Sequence, residues 1–60
     1  MNFKYKIQIV NTKKKKVIDI VPMLFMTKLG ALEYADKHTY TLKENQQFVI
    51  VEVNENEGNN

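Results

Sequence analysis

Cysteine, serine, arginine and tryptophan are all missing from this 60-residue chain. Without cysteine it has no disulfide framework, no thiolate zinc cluster and no thiol nucleophile, and it fits a reducing compartment. Losing serine as well removes the two commonest covalent nucleophiles. All nine basic residues are lysine. The planar fork that reads guanine edges or clamps phosphates and carboxylates is therefore absent, replaced by mobile point charges. Glycine is scarce: Gly30 and Gly58 stand far apart and cannot form a phosphate-cradling loop. There is one histidine, His38, and no HExxH or other metal-ligand spacing. The longest apolar stretches, "VPMLFM" and "FVIV", are too short to span a bilayer. The N-terminus "MNFKYKIQIV" alternates charged and apolar residues, unlike a secretory h-region. These absences lead to an expectation of a soluble cytoplasmic protein that is not an enzyme and needs no cofactor or metal.

What is present suffices for one small domain. Hydrophobic residues make up 43% of the chain, enough for a modest core close to the lower size limit for an unstapled fold. Residues 3–11, "FKYKIQIVN", alternate Phe3, Tyr5, Ile7 and Ile9 on one face against Lys4, Lys6 and Gln8 on the other, as a half-buried strand does. "VIDIV" (17–21) repeats the period, with Asp19 expected outward and Ile18 and Ile20 inward. "TKKKK" between them has the length of a hairpin connection. Pro22 is expected to end the second strand or confine it to an edge, and "MLFM" (23–26) to bridge to a helix. Thr27 is a candidate N-cap for a helix over Lys28–His38. Its inner stripe is expected at Ala31, Leu32, Ala35 and Thr39, with Leu29 and Tyr34 at the edges and Glu33, Asp36 and Lys37 outward. Gly30 weakens this helix or allows a close approach. Residues 39–47 read as a connector with a turn at 44–46. "FVIVEV" (48–53) reads as the last strand, with Val49, Val51 and Val53 inward and Phe48 and Ile50 on the opposite face. The order strand, strand, helix, strand gives an α+β fold: a ββαβ two-layer sandwich whose three-stranded antiparallel sheet, order 2-1-3, packs on one helix. The domain is expected over 1–53, followed by a disordered acidic tail over 54–60.

Charge is unevenly spread. Residues 1–16 carry six lysines and no acid, 17–43 balance three lysines against Asp19, Glu33 and Asp36, and 44–60 carry Glu44, Glu52, Glu55 and Glu57 alone. Adjacent strands are expected to compensate one another. The run Lys13, Lys14, Lys15, Lys16 reads first as a solvated hairpin tip whose charge discourages edge-to-edge aggregation. A second reading makes it a phosphate contact for nucleic acid, salt-sensitive and without sequence choice. His38, near a helix C-terminus, has a structural reason to be there. One sheet face is left open by a single helix, and Phe48, Ile50 and Val10 are expected either to form an apolar patch on it, rimmed by lysine, or to be covered by the connector or the tail. The candidate partner-binding residues are Lys13, Lys14, Lys15, Lys16, Glu33, Asp36, Lys37, Phe48, Ile50 and Glu52, on a monomer or weak homodimer associating through its last strand or open face.

Val21-Pro22, four residues, Thr27, three residues, then Ala31-Leu32-Glu33 and Ala35 form a pattern that resembles small phage-encoded inhibitors of bacterial RNA polymerase. The resemblance covers residues 21–40 and implies a three-stranded antiparallel sheet with one helix. It also implies a protein that acts in a bacterial host cytoplasm by docking on a host protein, with the polymerase as the named target. That family relies on basic residues, particularly arginines, at the end of its last strand. Here the corresponding stretch is "VEVNENEGNN", so no contact residue is carried over.

Overall fold

The structure is a computed structural model and describes residues 4–53. The expected strand character of Phe3 and the tail over 54–60 lie outside the described residues. Strand β1 spans Tyr5–Asn11, β2 Lys16–Phe25 and β3 Gln46–Glu52; helix α1 spans Lys28–Lys37, and a short 3-10 turn follows at Thr39–Thr41. Both β2 and β3 pair antiparallel with β1, in the order β2-β1-β3. The fold is thus the ββαβ arrangement expected from the periodicities, with α1 over one sheet face.

The hairpin forms without a tight primed turn. The Asn11 carbonyl accepts from the Lys15 N–H at 2.7 Å, and the Asn11 Oδ1 accepts from the Lys14 N–H at 2.7 Å. Lys15 takes the left-handed conformation that reverses the chain (φ 56°). Helix α1 starts where Thr27, in extended conformation, caps it: its Oγ1 accepts from the Gly30 N–H at 3.0 Å. At the other end the His38 N–H reaches the Tyr34 and Ala35 carbonyls.

Pro22 does not end β2, which runs three residues beyond it to Phe25. The proline sits on an edge strand, where a missing N–H breaks no ladder bond on the solvent side. Pairing with β1 is also irregular there, with shifts between Lys6 and Gln8 and between Ile9 and Val10. "MLF" is therefore strand, not bridge.

Face assignments differ from expectation on both edge strands. Residues directly opposite in neighbouring strands share a face, and buried Ile7 marks the helix side of β1. Ile7 pairs with Ile50, and Ile9 pairs with Phe48 and Asp19. Phe48 and Ile50 thus belong to the core beside Ile7, Val21, Ala31, Tyr5, Ile9, Phe25, Tyr34 and Ala35. Val49 and Val51 take the open face instead. On β2, Asp19 lies on the helix side, while Ile18 and Ile20, expected inward, are among the exposed large hydrophobics.

The helix stripe also turns by one position. Ala31 is buried and Tyr34, Ala35 and His38 are half-buried, whereas Leu32 is 48% exposed and Thr39 is exposed. Tyr34 contacts Phe25 with ring centroids 5.5 Å apart and stacks on His38 at 3.9 Å. These rings extend the core toward the helix C-terminus.

Candidate interaction surface

The sheet face away from α1 is built by the alternate residues of each strand. Lys6 pairs with Leu24 and Val51, Gln8 with Ile20 and Val49, and Val10 with Val17 and Gln47. Ile18 falls in the irregularity between Ile9 and Val10 and adds to the β2 row. The result is a polar central stripe, Lys6 and Gln8, flanked by an apolar row from each edge strand. On β2, Val17 is 47%, Ile18 44%, Ile20 48% and Leu24 50% exposed. On β3, Val49 and Val51 are half-buried. Among the described residues no element covers this face.

The lysine run lies at one end of the sheet. Lys13, Lys14, Lys15 and Lys16 are all exposed. The turn before β3 lies beside them, since the Thr12 N–H donates to the Asn45 carbonyl at 2.8 Å. That neighbour brings Lys43 and Glu44, so the end keeps a net positive charge. At the opposite end the Val53 N–H meets the Lys4 carbonyl, and the chain leaves β3 through Glu52 toward Glu55 and Glu57 in the sequence. Glu33, Asp36 and Lys37 are exposed on the outer side of α1, near exposed Leu29 and Leu32.

The ten candidate residues therefore do not converge. The four lysines share one tip, the helix charges occupy the far layer, and Glu52 is exposed at the end of β3. Phe48 and Ile50 are half-buried on the helix side and pack against the core, so an aspartate at either position should destabilise the domain instead of probing an interface. The patch expected on the open face exists and Val10 belongs to it as expected, but Val17, Ile18, Ile20, Leu24, Val49 and Val51 carry it in place of Phe48 and Ile50. The signal for these residues was the phase of β3 against Ile7, which the unbroken apolar run "FVIV" conceals.

The His38 Nδ1–H donates to the Tyr34 carbonyl at 2.8 Å, so the ring closes the helix end. No group of three or more His, Asp or Glu residues suited to a metal ion occurs among the described residues. Among the described residues no helix is long and apolar enough to cross a membrane. Fold and surface together define a class: a minimal ββαβ protein whose sheet, among the described residues, is covered on one side only. No family model, no curated protein and no solved structure matches the chain.

Proposed function

We propose that this chain is a small non-catalytic protein that docks on a larger host protein and modulates or inhibits it by occluding a surface. Bacterial RNA polymerase is the candidate that the resemblance over residues 21–40 names. The observation carrying this reading is the open sheet face, where four large apolar side chains of β2 stand about half exposed. Apolar patches of this kind, rimmed by polar groups, mark association surfaces. Lys6 and Gln8 run between the two apolar rows and the lysine tip extends beyond them, which favours a partner surface with apolar groups on either side of a polar line and acidic groups toward one end. Standard interfaces bury about 800 Å² per partner, so docking would engage most of one side of so small a molecule.

The test uses the full chain, immobilised and challenged with purified bacterial RNA polymerase with and without nuclease. Retention of the polymerase after nuclease, abolished by Ile20→Asp in a chain that still melts cooperatively, supports the proposal. Retention that disappears with nuclease, falls steeply with salt and is lost on converting Lys13–Lys16 to glutamine assigns the lysine tip to nucleic acid instead. No retention under any condition removes the polymerase as the target.

A further inference from the structure

The two edges of the sheet are not equivalent. β2 carries Pro22, two breaks of register and a flanking lysine run, all devices that deter another strand from adding. β3 has none of these. Gln46–Glu52 pairs with β1 in unbroken register, contains no proline or lysine, and has no neighbour on its other side among the described residues. Its backbone phase fixes which groups that edge offers. The Asn45 carbonyl and the Val53 N–H both point toward β1. By the two-residue alternation of a strand, Phe48, Ile50 and Glu52 then aim both backbone groups at the free edge, as Gln46 does its carbonyl. The Gln46 N–H is already used by the Lys43 carbonyl at 3.2 Å.

We propose that β3 pairs antiparallel with β3 of a second copy, about a two-fold axis at Val49, joining two three-stranded sheets into one of six. The sequence of the strand is complementary to itself in this one full-length register. Phe48 faces Ile50 of the second copy on the helix side, and Val49 faces Val49 on the open side. Gln46 faces Glu52, so no like charges meet. Residues that aim their backbone outward then oppose one another, which gives roughly six inter-chain hydrogen bonds. Apolar cross-strand pairs of this type each add a few tenths to about 1 kcal/mol. The charge layout agrees. β3 starts at the end that carries Lys13–Lys16 and finishes at Glu52, so antiparallel pairing brings Glu52 of one copy to the lysine-bearing end of the other. The join also lays the two β3 apolar rows side by side on the open face.

The chain contains no cysteine, so single cysteines report the register directly. Val49 and its counterpart would form a non-hydrogen-bonded pair with Cα atoms about 4.5 Å apart, within disulfide reach. Under mild oxidation, Val49→Cys should cross-link to a covalent dimer in high yield, and Val51→Cys, which would face Gln47, at least tenfold less. An equimolar mixture of Gln46→Cys and Glu52→Cys should give the mixed disulfide in preference to either homodimer, a result that face-to-face packing of two open sheets does not produce. Sedimentation should show the parent chain shifting to dimer as concentration rises. Val49→Lys and Val49→Glu should each be monomeric and form a heterodimer when mixed. A parent chain that stays monomeric at all concentrations overturns the proposal. So does cross-linking that is equal at positions 49, 51 and 20, or no mixed disulfide between positions 46 and 52.

Discussion

At the scale of the residue, the domain rests on very few side chains. Ile7, on the central strand and under α1, is fully buried beside Val21 and Ala31, with only partly buried neighbours around them. Cutting a buried isoleucine to alanine costs about 2–5 kcal/mol, and small domains hold little more than about 5 kcal/mol in total. Ile7→Ala should therefore abolish the cooperative thermal transition in circular dichroism. A sharp melt near the parental midpoint would contradict the core drawn here. Thr27→Ala removes the oxygen that accepts from Gly30 and should lower unfolding free energy by about 1 kcal/mol in urea titration. Gly30 is a finer case. A methyl group there would meet the Thr27 Oγ1 at 3.2 Å and the Phe25 Cδ2 at 4.0 Å. Alanine gains about 1 kcal/mol of helix propensity, and the exposed Thr27 side chain can shift by a few tenths of an ångström. Gly30→Ala should stabilise the protein, but by less than the propensity difference. A destabilised variant would show that the cap cannot move.

At the scale of the element, the hairpin tip holds a correctable strain. Lys15 adopts a left-handed backbone (φ 56°), which costs a side-chain-bearing residue roughly 1–2 kcal/mol relative to glycine. Lys15→Gly should raise the denaturation midpoint, by about 0.5–1 kcal/mol once the added freedom of the unfolded chain is discounted. An unchanged or lower midpoint would mean that the lysine side chain has a compensating contact. Much of this architecture was legible in the sequence because alternation in β1, the threonine cap and the lysine-rich gap each have a local cause. The phase of β3 was not, since "FVIV" is apolar at both parities and only Glu52 marks a side. That marker misleads for a geometric reason. α1, ten residues and about 15 Å long, leaves the Phe25 end of β2 and returns at the Gln46 end of β3, so it crosses the sheet diagonally. The two corners it leaves uncovered are those of Asp19 and Glu52. Both are exposed although both lie on the helix side, so each looks like an outward residue and inverts its strand. The candidate site inherited that inversion on the edge strands: the open face and its Val10 were foreseen, but Phe48 and Ile50 were exchanged with the valines beside them.

At the scale of the whole molecule, charge placement opposes the small core. Lys13, Lys14, Lys15 and Lys16 are consecutive and exposed, Lys43 and Glu44 of the adjoining turn cancel, and Asp19 further along β2 offsets one of the four. Four adjacent cations repel one another within one Debye length, which is about 10 Å at 0.1 M salt and about 30 Å at 0.01 M. The fold confines them to the hairpin turn and the first residue of β2, whereas the unfolded chain lets them spread, so repulsion is stronger in the native state. Added salt should then stabilise the protein, a sign opposite to that expected if surface ion pairs held it together. Replacing Lys13–Lys16 with glutamine removes the repulsion and should do two things at once. The thermal midpoint at low salt should rise above that of the parent, and the midpoint should become nearly independent of salt. Melts of both chains from about 0.01 to 0.5 M sodium chloride, at one fixed low protein concentration so that association does not contribute, make the comparison. If the parent loses stability with salt, or the glutamine chain melts below it throughout, the lysines make favourable contacts within the fold, and the tip is more than a solvated end.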